Sequence, residues 1–121
     1  MSRVMHFEIH ADNPERAVNF YASVFGWEIK KWDGPEDYWL ITTGEENEPG
    51  INGAIKPRAG NLTTVNSVTV SSVDEFLLKI TQAGGKTVQP KTAVPGIGYT
   101  AYCQDSEGNT CGIWQHDRTA K

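Results

Sequence analysis

The sequence has little of what several classes of protein require. No stretch approaches the roughly 20 apolar residues of a membrane-spanning helix, and the first residues contain no apolar segment typical of a secretory signal peptide. Lys and Arg are not clustered and the formal net charge is −4, which argues against binding to a phosphate backbone. We therefore expect a cytoplasmic protein whose partners include neither a membrane nor a nucleic acid.

Cysteine is also scarce, and the two cysteines do not form a CxxC motif. Cys103 and Cys111 lie in strand-like segments on either side of a turn. We expect two reduced, half-buried thiols, with a cross-strand disulfide or a reactive thiol as the alternative. The sequence also contains no motif for a nucleotide, a flavin or a haem.

The composition is that of one ordinary globular domain. Of the 121 residues, 38% are hydrophobic and 21% are charged, which is enough apolar surface to build a continuous core. We therefore treat residues 1–121 as a single domain.

The segment from Val4 to Trp27 combines a strand with a helix. Asn13 is a typical N-cap, Pro14 suits the first helical position, and Gly26 ends the helix. The strand alternates between a polar face with His6, Glu8 and His10 and an apolar face with Met5, Phe7, Ile9 and Ala11. Helical spacing predicts a buried stripe of Ala17, Phe20, Tyr21 and Val24.

The second half of the chain repeats this order. Moving the sequence by 59 residues places Gly26 on Gly85 (85 − 26 = 59), and the same shift relates two helix caps and two mid-strand glycines. These pairs are Asn13 with Ser72 and Gly53 with Gly112. In the first half, strands are predicted at 27–32, 38–44 and 51–55, and a linker at 57–61. In the second half, strands are predicted at 64–70, 86–90, 98–104 and 110–115, with a helix at 72–83 whose buried stripe is Val73, Phe76, Leu77 and Ile80.

Two copies of this length indicate a duplicated module. We predict an α+β domain of two tandem β-α-β-β-β modules, residues 4–57 and 63–116, that form a curved mixed sheet around a cleft. The polar faces of the strands would line the cleft, and the apolar faces would pack under the helices. Open modules of this kind commonly complete their sheets across a two-fold axis, so we also expect a homodimer.

Three segments carry a resemblance to a known superfamily: DNPERAVNFYASVFGWEI (12–29), SSVDEFLLKITQAGGKTV (71–88) and VPGIGYTAYCQDSEGNTCGIWQ (94–115). With them the chain resembles the vicinal oxygen chelate superfamily, which includes glyoxalase I, bleomycin-resistance proteins and extradiol dioxygenases. Within the superfamily it looks most like the small proteins described as lactoylglutathione-lyase-related. The resemblance covers nearly the whole chain and implies the fold, but this fold hosts several chemistries.

Metal-dependent members of that superfamily take their ligands from the first and last strand of each module. The 59-residue register puts these positions at His6, Gly53, Val65 and Gly112. One imidazole cannot form that site, and the glutamate that acts as base in glyoxalase I has no counterpart, so glyoxalase I activity is not expected. We expect no cofactor; the alternative is a divalent metal displaced to His6 and Glu8 in a lyase, isomerase or dioxygenase.

The function favoured by this pattern is binding of a small organic molecule in an aromatic-lined cleft without the superfamily metal. Whether a reaction is catalysed stays open. His6 and Glu8 either contact the ligand or hydrogen-bond at the cleft wall, and Trp114 either faces the ligand or fills space. In glyoxalase-like relatives the position of His10 can touch the anionic tail of a ligand, and Tyr99, in the predicted loop 93–100, is a candidate donor or lid residue. The cleft candidates are His6, Glu8, His10, Gly53, Ile55, Val65, Ser67, Tyr99, Gly112 and Trp114.

Overall fold

The order of the elements is the predicted tandem β-α-β-β-β arrangement. A computed structural model describes residues 2–121. None of the helices in this range is both long and apolar enough to cross a membrane. The elements are β1 Arg3–Ala11, α1 Pro14–Phe25, β2 Glu28–Lys31, β3 Trp39–Thr42, β4 Gly53–Pro57, β5 Thr64–Thr69, α2 Val73–Gln82, β6 Lys86–Val94, β7 Gly98–Gln104 and β8 Thr110–His116. The predicted α+β class is confirmed.

The chain divides into two compact units. The N-terminal unit comprises residues 5–65, and the C-terminal unit comprises residues 66–121 with the start of β1 up to Val4. In the N-terminal unit the strand order is β2-β3-β4-β1, with β1 and β4 parallel and the other pairs antiparallel. In the C-terminal unit the order is β5-β8-β7-β6, with β5 and β8 parallel and the other pairs antiparallel. Each set of four strands is therefore mixed, and the two sets share one pairing pattern.

Helix α1 begins and ends at the predicted residues. The side chain of Asn13 accepts a hydrogen bond from the backbone N–H of Arg16 at 3.1 Å, and Pro14 occupies the first turn. Gly26 ends the helix with a φ of 72°, a left-handed conformation that favours glycine, and its N–H donates to the carbonyl of Ala22 at 3.0 Å. The two caps therefore fix the residues at which helix α1 begins and ends.

The buried face of α1 differs from the predicted stripe. Phe20 and Val24 are each 56% exposed, whereas Val18 takes a place in the core. Helical spacing alone does not decide which of two neighbouring stripes faces the sheet, because both recur every three to four residues. The side chains that pack with the buried Ala11, Ile41 and Ile55 include Phe7, Ile9, Ala17, Val18, Tyr21 and Trp27.

Helix α2 packs as the sequence predicts, but it ends one residue earlier than the repeat implies. The hydroxyl of Ser72 accepts from the N–H of Glu75 at 3.2 Å, which caps the helix. The left-handed glycine after α2 is Gly84, with a φ of 99°, and not Gly85. The predicted stripe of Val73, Phe76, Leu77 and Ile80 contacts the core formed with Val70, Ala101, Cys103 and Ile113.

The register of β4 overturns one landmark of the predicted repeat. Glu8 pairs with Ala54 in the N-terminal unit, and Ser67 pairs with Gly112 in the C-terminal unit. The counterpart of Gly112 is therefore Ala54, a shift of 112 − 54 = 58, and not Gly53. A constant shift fails here because the strands and connections that precede β4 and β8 differ in length: residues 43–52 join β3 to β4, whereas residues 105–109 join β7 to β8.

The connection between β6 and β7 is a tight hairpin turn instead of the predicted loop 93–100. Strand β6 continues to Val94, and the N–H of Ile97 donates back to the Val94 carbonyl at 3.0 Å. Gly96 has a φ of 75° at the centre of this turn. Tyr99 consequently lies inside strand β7.

Candidate functional site

One face of the N-terminal sheet is polar, and we call it the polar face. Phe7 and Ile9 point to the α1 core, so alternation sends His6, Glu8 and His10 to the other side of β1. Directly opposed residues point to the same side, so Ala54 and Lys56 of β4, Leu40 of β3 and Lys30 of β2 also belong to the polar face. Ala54 lies between Glu8 and Leu40 and is completely buried.

At the centre of the polar face a carboxylate lies against a buried imidazole. Oε1 of Glu8 is 3.4 Å from Nε2 of His10. The side chain of His10 is completely buried and that of Glu8 is only 14% exposed. The structure thus brings two of the predicted site residues into contact.

The segment predicted as a linker encloses His10. The N–H of Arg58 donates a hydrogen bond to the carbonyl of Ala11 at 3.0 Å. The Arg58 guanidinium donates to the carboxylate of Asp12 at 2.7 Å and to the carbonyl of Leu62. The N–H of Ala59 donates to Nδ1 of His10 at 3.3 Å. Because Nδ1 accepts this bond, the neutral ring carries its proton on Nε2, the nitrogen that faces Glu8.

The other end of the polar face carries a second polar pair. Nε2 of His6 is 3.0 Å from the hydroxyl of Tyr38, and both side chains are half-buried. Tyr38 ends the loop between β2 and β3, and its ring meets that of Trp32 edge-on at a centroid distance of 6.1 Å. The Trp32 ring in turn lies against Gly34, where a Cβ atom would come within 2.3 Å of it. This loop, Trp32–Tyr38, therefore places two aromatic rings beside the polar face.

Burial sets the charge state of these groups. It lowers the pKa of His6, although the nearby Glu8 partly offsets the effect. Burial also lowers the pKa of His10; Glu8 opposes this shift, whereas Lys56 and Arg58 add to it. Burial raises the pKa of Tyr38 well above its usual range, with smaller contributions from Glu8 and Glu36. At neutral pH the polar face therefore presents neutral imidazoles and a protonated phenol.

Gly53 and Ile55, which the sequence predicts in the cleft, lie on the other side of the sheet. Ile55 is completely buried in the α1 core and pairs with Ile9, and Gly53 pairs with Phe7. A Cβ atom at Gly53 would lie 2.5 Å from the carbonyl oxygen of Phe7. Both positions therefore face α1. The prediction placed them on the other face because a one-residue error in the register of a strand moves every side chain to the opposite face.

The predicted residues of the C-terminal unit fall on two different faces of its sheet. Ser67 and Gly112 pair with each other, and Trp114 pairs with Thr69 on the same strands. Alternation with the buried Ile113 sends them to the face opposite α2. Tyr99 lies within strand β7 and not in the predicted loop, and it packs against the α2 core with the ammonium group of Lys91 at 4.3 Å from its ring centre. Val65, which is counted with the N-terminal unit, is buried with 1% exposure and offers only apolar surface.

Solved structures with this architecture cover nearly the whole chain. A glyoxalase/bleomycin resistance protein/dioxygenase superfamily member from Vibrio splendidus 12B01 is 14% identical, with a TM-score of 0.64 over 97% of this chain and 100% of that chain. The chain has the fold of that superfamily. Streptomyces coelicolor methylmalonyl-CoA epimerase is 13% identical, with a TM-score of 0.67 over 98% and 97% of the two chains. A hypothetical protein from Bacillus halodurans C-125 is 11% identical, with a TM-score of 0.69 over 99% and 98%.

The sequence comparison agrees for the first part of the chain. A family model described as bleomycin resistance protein-like N-terminal matches residues 3–44. That range contains β1, α1, β2 and β3, and hence most of the polar face. No curated protein matches the sequence.

The metal site implied by the superfamily fold does not fit the residues present. Of the four positions expected to supply ligands, only His6 has a donor side chain, and its Nε2 already lies against Tyr38. With the corrected register, the β4 position is Ala54, which has no donor either. Across residues 2–121, no group of three or more His, Cys, Asp or Glu side chains is arranged to hold a metal ion. The displaced site at His6 and Glu8 would have two protein ligands.

Three residues on or beside the polar face are not among the predicted cleft candidates: Tyr38, Lys56 and Arg58. Arg58 lies in the segment that the sequence predicts as a linker. The parallel pairing of β1 with β4 would have revealed Lys56, since it pairs with His10. No sequence signal identified Tyr38, because its contact with His6 depends on how the loop between β2 and β3 folds back in this chain.

Proposed function

We propose that the polar face of the N-terminal unit binds a small organic molecule that directs a hydrogen-bond donor at Glu8. The observation that carries this proposal is the Glu8–His10 pair, a carboxylate with 14% exposure beside a completely buried imidazole on a sheet face that is not the α1 core. The ligand would place an apolar or aromatic part beside Trp32 and Tyr38.

Burial of these groups argues against a purely structural role. Placing a polar group away from water costs about 1–3 kcal/mol unless it finds a partner, and an unpaired charge costs more. The opposite face of the same sheet is filled with apolar side chains, so the fold does not require polar ones here. Convergent polar groups with low exposure, flanked by aromatic rings, are typical of small-molecule sites.

The charges and protonation states define the class of ligand. Neutral imidazoles at His6 and His10 add no positive charge, so Glu8 is an acceptor for an amine, amide or hydroxyl of the ligand. Lys56, which pairs with His10, is half-buried and offers one cationic donor. A small-molecule role is consistent with the Streptomyces coelicolor epimerase of the same fold, whose structure contains 2-nitronate-propionyl-CoA.

A thermal-shift screen tests this proposal. The probes are three sets of aromatic fragments that carry an amine, an amide or a carboxylate, each added at millimolar concentration. We expect amine or amide fragments to raise the unfolding midpoint, since a ligand at 100 times its Kd stabilises the folded state by about 2.7 kcal/mol. Glu8→Gln should weaken the affinity for these fragments at least tenfold and thereby reduce the shift of the unfolding midpoint. Glu46→Gln, a change in an exposed loop, is the matched control.

Two outcomes would contradict the proposal. In the first, no fragment of any set raises the midpoint. In the second, the shift is equal in the wild type, Glu8→Gln and Tyr38→Phe, which would place binding elsewhere. Stoichiometric divalent metal in protein purified without a histidine tag, lost in His6→Ala, would favour the metal-dependent alternative instead.

A further inference from the structure

Two cysteines of the C-terminal sheet lie directly opposite each other. Cys103 of β7 pairs with Cys111 of β8, and their Sγ atoms are 3.0 Å apart. Both are free thiols in this structure. We propose that Cys103 and Cys111 are an oxidisable dithiol that closes to an intrachain disulfide on exchange with a low-molecular-weight disulfide such as oxidised glutathione.

The strand pairing and the 3.0 Å separation of the sulfur atoms place the two thiols within reach of a cross-strand disulfide. Directly opposed residues of an antiparallel pair have Cα atoms about 4.5–5.5 Å apart, within the range that disulfides span. Their side chains also point to the same face of the sheet. A disulfide bond is about 2 Å long, so the two sulfur atoms need to approach by only about 1 Å.

The exposure of the two thiols determines which of them reacts first with the small disulfide. Cys111 is partly exposed, whereas Cys103 is completely buried. Burial and the hydrogen bond with Cys111 raise the pKa of the Cys103 thiol to about 12, so this thiol keeps its proton. Cys111 is therefore the sulfur that meets the oxidant.

The reaction is a balanced pair of exchange steps. Cys111 loses its proton, and its thiolate attacks one sulfur of the small disulfide. A mixed disulfide forms, and the small thiolate that leaves takes up one proton to become a thiol. Cys103 then attacks the Cys111 sulfur of the mixed disulfide, and its proton goes to the second small thiol that leaves. Two protein thiols and one small disulfide thus give one protein disulfide and two small thiols.

The proposed disulfide would link β7 and β8, which also carry side chains on the sheet face away from α2. Tyr102 and Gly112 pair with each other next to the two cysteines, and both point away from α2. Closing the disulfide would fix the spacing of β7 and β8 at that position. The cysteine pair is independent of the proposed ligand site, which lies in the N-terminal unit.

Intact-mass measurement after incubation with oxidised glutathione tests the proposal. In the folded wild type we expect the loss of two hydrogen atoms, no retained glutathione, and full protection from a thiol alkylating agent after unfolding. Cys103→Ala should retain one glutathione on Cys111, because the resolving sulfur is absent. Cys111→Ser should stay unmodified while folded.

Wild type that remains a dithiol, retains glutathione or forms disulfide-linked dimers would overturn the proposal. The wild-type mass alone decides this point, so it does not depend on whether Cys103→Ala folds. Circular dichroism of each variant before oxidation identifies any variant that has lost its structure.

Discussion

Glu8 Oε1 lies 3.4 Å from Nε2 of His10, two residues further along the same strand face. Ala59 holds the other nitrogen of that ring through its backbone N–H at 3.3 Å. The imidazole is thus oriented from both sides, and it aligns the Glu8 side chain along β1. This arrangement makes His10 a positioning residue for the proposed acceptor.

Replacing His10 with alanine should destabilise the protein. His10→Ala leaves Glu8 and the Ala59 N–H without their contacts to the ring, so we expect the free energy of unfolding to fall by about 1–3 kcal/mol. Urea denaturation measures this change. His116→Ala, at an exposed position, is the control and should change stability little; an equal effect in the two variants would contradict the role of His10.

Stability should also depend on pH through the two buried imidazoles. The pKa values of His6 and His10 lie below the 6.5 of the unfolded chain, so between those values the unfolded state binds more protons than the folded state. The free energy of unfolding should therefore be highest above pH 6.5 and decrease as the pH falls through that window.

Urea titrations at a series of pH values from about 8 to about 5 measure this dependence. In the double variant His6→Gln, His10→Gln the decrease over this range should be smaller than in the wild type. The same decrease in both proteins would show that other groups are responsible.

The register of β4 predicts a specific response to an added methyl group. Gly53→Ala would place a Cβ atom 2.5 Å from the backbone oxygen of Phe7, and backbone yields less than a flexible side chain. We expect a loss of about 1–3 kcal/mol in the free energy of unfolding. Gly44→Ala is the matched control, because its nearest neighbour is the flexible side chain of Glu48 at 3.1 Å. Equal stability of the two variants would indicate that Gly53 faces away from the core.

The contact between Tyr38 and His6 should appear as an energetic coupling. A double-mutant cycle with Tyr38→Phe and His6→Ala removes the 3.0 Å hydrogen bond in each single variant and in the double variant. We expect a coupling of about 1 kcal/mol in the free energy of unfolding. A cycle that closes with no coupling would mean that the loop does not hold Tyr38 over the polar face.

Much of the fold could be predicted because its signals are local. Asn13 and Ser72 cap their helices through contacts three residues away, and the alternation of β1 separates His6, Glu8 and His10 from Phe7 and Ile9. Such patterns depend on neighbouring residues and therefore persist in the folded chain.

The remaining errors concern pairings between distant segments. The strands and loops between β1 and β4 differ in length from those between β5 and β8, so a fixed shift between the modules moved Gly53 and Ile55 to the wrong face. Arg58 looked like part of a linker because its partners, Asp12 and the Leu62 carbonyl, come together only in the folded unit. Neither relation leaves a periodic signal in the sequence.

The loop Trp32–Tyr38 is closed at its base by a backbone hydrogen bond from the N–H of Trp32 to the carbonyl of Tyr38 at 2.7 Å. The strands on either side are therefore held together independently of the residues within the loop. Changes within residues 33–37 would leave this hydrogen bond and the pairing of β2 with β3 in place, so the interior of the loop can vary without a change in the fold.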